Sequence, residues 1–234
     1  MGSYKLNVEV GYDGRYTMVR PSELPGCISK SRDHDAALDN AAGEIERHIQ
    51  WFRAHAEDIE ATSGAIQVEK AEEFICLNDG SYEVNAFFAT DGEPVYPAEI
   101  RTFLRWMDYS RQDLIDLVRG VPYEALDSAP GHGKRSLREV LDHVAKAEFW
   151  YLTRLDAAGS PTFRRGEDFP LEPFLRLRTT REFAVERLTN LTAQERSRLT
   201  FHQGEQWSAR KVFRRFLEHE NEHRKEIASR YENP

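Results

Sequence analysis

The sequence predicts an α+β chain: a small antiparallel sheet with one packed helix over residues 1–95, then an all-α antiparallel four-helix bundle over 96–234. Three observations predict it. Apolar residues alternate with period two in several stretches before residue 95. After "TDGEPVYP" (90–97), rich in turn formers, the period becomes 3.6 and stays so to the end. The 234 residues also exceed the common domain size of roughly 100–150, so two domains fit the length better than one.

The first strand is "YKLNVEVG", in which Tyr4, Leu6, Val8 and Val10 alternate with polar neighbours. "YDGR" then supplies an Asp-Gly hairpin turn into "YTMVR", and "CISKSRD" is a third extended stretch. Asp33 is placed to cap a helix running to about residue 56, whose buried stripe is Ala37, Leu38, Ala41, Ile45, Ile49 and Phe52. Two more extended stretches follow, "AIQVEKAEEFI" and "SYEVNAFFAT", separated by "NDG".

The helical half opens with Ile100, Phe103, Leu104, Met107, Leu114, Ile115 and Val118 on one stripe. A second helix starts at "SLRE", where Ser136 and Glu139 have the spacing of a capping box, and carries Leu137, Val140, Leu141, Val144 and Tyr151. The third, after a Pro- and Gly-containing loop at 158–173, buries Phe174, Leu177, Phe183, Ala184, Leu188 and Leu191. Ser208 caps the fourth, with Val212, Phe216, His219, His223 and Ile227 as its stripe. Four such helices joined by loops make an antiparallel bundle.

A composition 40% hydrophobic and 31% charged supports real cores and argues against disorder. No run reaches the ~18 apolar residues of a membrane span, and "MGSYKLNVEV" lacks the features of a signal peptide, so a cytoplasmic protein is expected. Cys27 and Cys76 are the only cysteines and lie in no ligand pattern, which fits reduced thiols. A net charge of −8 repels phosphate backbones, and the densest basic stretch, "RRFLEHENEHRK", is interleaved with acids; nucleic acid is not an expected partner.

Within that stretch His219 and His223 lie four residues apart, which brings their Cβ atoms within ~5–6 Å on a helix and lets both rings meet one ion. Both continue the stripe that the bundle buries, where an unpartnered imidazole is costly to desolvate. His143, flanked by Val140, Val144 and Ala147, faces inward from the second helix. Two readings remain open: a metal centre, or a polar core cluster held by hydrogen bonds. Three imidazoles on one ion leave a coordination position for water or substrate, as catalytic rather than structural sites do.

The remaining histidines read more simply. His34, His48, His55 and His202 are expected at the surface, and His132, in "PGHGKR", in a solvated loop or near the pocket mouth with Lys134 and Arg135. Trp150, Tyr151 and Trp207 are core aromatics or cavity lining, and Arg176, Arg178 and Arg181 a solvated helix face or an anion site.

A His in the second helix followed by "HENEHRKEI" near the end of the fourth resembles the DinB/YfiT-like metalloenzyme superfamily, over roughly 97–231 and including the Ser-capped "QWSARKV". The resemblance makes His143, His219 and His223 the metal ligands, with zinc or nickel as the occupant. It also implies a thiol-dependent S-transferase, with bacillithiol, mycothiol or glutathione as the class of low-molecular-weight thiol and a small electrophile as substrate. A cation bound there converts a thiol to thiolate near neutral pH without a protein cysteine. Asp142, Glu220 and Glu222 adjoin the ligands in sequence but point about 100° away around their helices, so no residue is assigned to orient the rings and no general base is named.

"YTMVRPSELPGCISKSRDHDAALDNAAGEI" resembles the HicB-like antitoxin fold over about 4–75, on Leu24-Pro25-Gly26-Cys27, Ser29, Ala37, Asn40, Ala41, Ile45 and Trp51. Ser31 and Asp33 depart from that family's usual Gly and Thr. Cys27 is read as a buried turn residue. What this second resemblance implies is a regulatory or protein-binding module, with the bundle as a dimerising scaffold, and a homodimer is the expected assembly.

Overall fold

The computed structural model describes residues 2–59, 65–78, 80–131, 133–156 and 169–232. They fall into two compact units, Met1–Gly92 with Phe201–Gln206, and Glu93–Thr200 with Trp207–Pro234. His132 and most of the loop 158–173 lie outside the described residues.

In the first unit β1 (Ser3–Tyr12), β2 (Tyr16–Pro21), β3 (Ser29–Ser31) and β4 (Gln67–Ile75) form one sheet in the order β3-β2-β1-β4. β1 and β2 are a hairpin in which Tyr12 faces Tyr16. Its turn places Asp13 at φ 51° and Gly14 at φ 67°, the left-handed conformations that Asp-Gly tolerates best. Leu24-Pro25-Gly26-Cys27 closes a tight turn with Gly26 at φ 91° and the Cys27 amide donating to the Leu24 carbonyl at 3.0 Å. Cys27 is buried there.

Two expectations need correction. The sheet is mixed rather than antiparallel, because β4 runs parallel to β1. Period two reports which side chains face a core and says nothing of strand direction; the helical segment between the strands supplies the crossover that parallel neighbours require. That segment is also two helices rather than one, α1 (His34–Asp39) and α2 (Ala41–Ala54), parted at Asn40. Asp33 caps α1 as expected, accepting from the Ala36 amide at 2.8 Å.

Of the stretch 81–90, only β6 (Glu83–Val84) is strand, paired with β5 (Leu77–Asn78), and a 3-10 turn follows at Ala89–Gly92. β4 is a largely exposed edge whose register shifts between the partners of Leu6 and Asn7. With Glu69, Lys70, Glu72 and Glu73 along it, this bulged and charged edge is protected against stray pairing.

In the second unit α3 (Pro97–Val118), α4 (Leu137–Thr153), α5 (Pro173–Thr189) and α6 (Ala209–Glu232) dominate. α4 packs on α5 and α6, and α3 packs on α6. Before α6 in the chain comes a hairpin of β7 (Thr200–His202) and β8 (Glu205–Trp207), not foreseen in a chain read as helical to its end; it turns through Gln203 and Gly204 at positive φ, and its Phe201–Gln206 segment belongs to the first unit.

The helix stripes predicted from spacing are the core: Ile100, Phe103 and Met107 meet Leu188, Phe213 and Phe216 in one cluster. Leu114, Val118, Val140, Leu141 and Val144 form another. α6 departs from simple amphipathicity, since Lys211, Arg215, Glu218 and Glu220 are as buried as its apolar residues. No helix among the described residues is long and apolar enough to cross a membrane.

Candidate metal centre

Each histidine is set by local structure. On α4 the Ser136 hydroxyl accepts from the Glu139 amide at 3.2 Å, and the Glu139 carboxylate accepts from the Ser136 amide at 2.7 Å. This closed capping box fixes the start of the helix two turns before His143, while Val140 and Val144 anchor the same side in the core. On α6 the Ser208 hydroxyl accepts from the Lys211 amide at 3.0 Å, and the helix runs unbroken through His219 and His223.

The three imidazoles meet. His219 Nε2 lies 3.0 Å from His143 Nε2 and 3.2 Å from His223 Nε2, and one ligand nitrogen from each ring falls within 4.8 Å of the other two. Two imidazoles sharing an ion at ~2.0–2.1 Å stand about 2.9–3.3 Å apart, depending on the coordination angle. The observed separations match that range. His219 and His223 are buried at 6% and 5% exposure, whereas His143 is half-buried, so the cluster is closed on the α6 side and open on the α4 side.

Hydrogen-bond roles support the same geometry. His223 Nδ1 stands 2.7 Å from Glu226 Oε2, and Arg230 donates to the other oxygen of Glu226 at 2.6 Å. Burial pushes the Glu226 carboxyl up, but the bonds from His223 and Arg230 outweigh it and hold the group at about 2. An ionised carboxylate only accepts, so Nδ1 of His223 carries a hydrogen toward Glu226, and Nε2 is the nitrogen turned to the other rings. Burial first, then the charges of His223 and Arg135, lower His143 to about 4. Burial, reinforced by His223 and His143, pushes His219 well below the ordinary imidazole range. Neutral imidazole nitrogens that converge in this way call for an electrophile between them, a proton or a metal ion.

Glu226 is the orienting residue that sequence reasoning did not name. The signal was present as His223-x-x-Glu226, three residues apart on one helix face. The acids that adjoin ligands in sequence do turn elsewhere where their partners are seen. Asp142 pairs with Lys146 and Arg176. Glu220 accepts from Arg111 at 2.6 Å and from Arg181 at 2.9 Å.

Those two arginines also bond Glu148, at 2.7 Å from Arg111, which completes a buried ring of two carboxylates and two guanidiniums with one residue from each long helix. Arg176, Arg178 and Arg181, taken together in the sequence, therefore separate. Arg181 is buried in the ring, Arg176 bonds Asp142 and the Pro170 carbonyl, and Arg178 is exposed.

Trp150, Tyr151 and Trp207 pack edge-on or tilted at 5.4–6.0 Å, Tyr151 and Trp207 within the core and Trp150 against it. Tyr151 also lays its ring edge-on to His219 at 5.8 Å, and its hydroxyl accepts from buried Arg215 at 3.2 Å. His34, His55 and His202 are partly exposed, but His48 is buried at 8%, packed on Trp51 and Phe52. The surface expectation failed for His48 because it lies at i+3 from Ile45 and i−4 from Phe52, on the buried stripe itself.

A family model described as the DinB superfamily matches residues 107–227, which include all three histidines and Glu226. No curated protein and no solved structure matches the chain.

Proposed function

Because the chain belongs to the DinB superfamily, whose members often bind divalent metals, we propose that it binds one divalent ion, zinc or nickel, through His143, His219 and His223 and acts as a thiol-dependent S-transferase on small electrophiles. The reading includes a division of the chain at 95/96 and an antiparallel four-helix bundle that carries the site. The observation that carries it is the convergence of three imidazole nitrogens from two helices at 3.0 and 3.2 Å.

When bound, a divalent ion would supply Lewis-acid chemistry, favouring thiolate over thiol near neutral pH. The chain's own residues do the rest. Glu226 keeps the hydrogen of His223 on Nδ1 and so keeps Nε2 available. The packing of α6 excludes water from behind His219 and His223, and the half-exposed His143 leaves the approach for a small molecule.

Elemental analysis of untagged protein is expected to find one equivalent of zinc or nickel, absent in His219→Ala, together with thiol-dependent consumption of a model electrophile that chelation abolishes. Wild-type protein without stoichiometric metal ends the reading; metal without thiol activity ends only its enzymatic part.

A second reading draws on the tight turn at Leu24–Cys27 and the small sheet around it. Here the first unit is a HicB-like regulatory module that binds a protein, and the helical unit is a dimerising scaffold. It expects the full-length His219→Ala variant to remain a dimer in sedimentation and to keep a specific partner that is lost when the 24–27 turn is replaced. A monomeric variant that retains nothing rejects it.

A further inference from the structure

The first unit carries a cavity that the metal-binding reading does not use. It measures about 450 Å³ and is lined by Cys76, Leu77, Asn78, Tyr82, Val84 and Gln203. All six belong to the first unit: five come from the β5–β6 hairpin and the residue before it, and Gln203 sits in the β7–β8 turn. The volume falls within the ~300–1,000 Å³ of small-molecule sites.

The lining bears no charge. Its two ionisable side chains commit their protons to buried carboxylates: the Cys76 thiol donates to Glu9 at 3.4 Å, and the Tyr82 hydroxyl donates to Glu205. Glu9 is itself held by Arg20 and by the Ala86 amide at 2.6 Å. Burial first, then Glu9, push the Cys76 thiol up, so the sulfur stays protonated. What a ligand meets is apolar surface from Leu77 and Val84, the Tyr82 ring and two side-chain amides. Asn78 is occupied in its own turn, its oxygen accepting from the Gly80 amide at 2.8 Å. Gln203 differs. Its two-residue turn has positive φ at both centres, 49° at Gln203 and 83° at Gly204, and Asn, Asp or Gly fills the first of these best. A glutamine there costs turn stability and carries its amide one methylene further than asparagine onto the cavity lining.

We propose that this cavity binds an uncharged, planar small molecule with a carboxamide-like edge, the edge meeting the Gln203 amide and the apolar body lying against Leu77, Tyr82 and Val84. A charged ligand would shed its hydration against a lining that offers no counter-charge. The proposal goes beyond the metal-binding reading and uses none of the three histidines.

Benzamide, benzoate and benzamidine share one shape and differ in charge, so they serve as the probes. The isotope-labelled full chain is titrated with each and followed by nuclear magnetic resonance through the amide signals of residues 76–84 and 203. Benzamide is expected to shift these signals saturably, with a dissociation constant of about 1 mM for so small a molecule, and the two charged analogues to leave them in place. Gln203→Asn suits the turn better and shortens the amide; it should weaken benzamide about fivefold without lowering the melting temperature. Val84→Phe, checked for a native far-ultraviolet spectrum, should abolish saturation by filling the cavity. The proposal is overturned if benzamide produces no saturable shift, if either charged analogue binds as tightly, or if either folded variant binds benzamide as wild type does.

Discussion

Two polar clusters join the same pair of helices and are built on opposite rules. The ring of Arg111, Glu148, Arg181 and Glu220 draws one residue from each of α3, α4, α5 and α6, and each carboxylate meets both guanidiniums, so its charges cancel within the protein. The trio of His143, His219 and His223 uses α4 and α6 again, but it turns imidazole nitrogens toward one another with no opposite charge between them. The first cluster balances its own charge, although Glu148 Oε2 is buried without a hydrogen-bond partner among the described residues. The second leaves an electron-rich point that nothing among the described residues neutralises, and the half-exposure of His143 keeps it reachable. A buried polar group that satisfies itself fixes helix register, whereas one that does not is open to a ligand.

The sharpest way to break this comparison is to unbalance the ring. Arg181→Met leaves two buried carboxylates facing one guanidinium and is expected to cost about 3–5 kcal/mol in urea denaturation. Replacing all four members with apolar residues of similar size should cost far less, because no charge is stranded. If the single change proves as mild as the fourfold one, the ring is not the closed unit described.

Glu226→Gln touches only the other cluster. It should weaken metal binding about 10–100-fold by competition titration, with the far-ultraviolet spectrum unchanged. An affinity equal to wild type would mean that the Glu226 contact does not orient His223.

The clusters should also separate by pH in metal-free protein. His143 is neutral in the fold, lowered to about 4 from the ordinary ~6.5 of an unfolded chain. Its contribution to stability is complete above pH ~6.5 and is lost as pH falls through about 4. Glu220 is held at about 2: burial opposes its ionisation, and the charges of Arg111 and Arg181 prevail. Its contribution is complete above ~4.5 and is lost as pH falls through about 2. Denaturation midpoints should therefore decline in two windows, and His143→Gln should lessen the upper decline, to which His219 also contributes, and leave the lower one.

The smallest effect is expected from Ser136→Ala, about 1 kcal/mol through loss of the α4 cap, with metal stoichiometry intact. Loss of metal in this variant would show that the cap positions His143 as well as starting its helix.

Much of this architecture was legible in order of residues. The α3 to α6 stripes, the Asp33, Ser136 and Ser208 caps and the Asp13-Gly14 turn follow from period, cap chemistry and tolerance of positive φ, all of which are local. So was the inward placing of His219 and His223, one turn apart. Strand direction was not legible: the parallel pairing of β1 and β4 depends on where a crossover returns. The arginines also misled, because Arg181 reads as surface until three other helices supply Glu148, Glu220 and the Met107 carbonyl.

The amino-acid order by itself determined the helices, their buried faces and the three imidazoles pointing into one half of the chain. Tertiary structure decided that His143 comes within 3.0 Å of His219 across 76 residues of sequence, and which charges cancel in the interior. The reason is that periodicity specifies the direction of a side chain relative to its own helix, whereas convergence and charge compensation are properties of several helices at once.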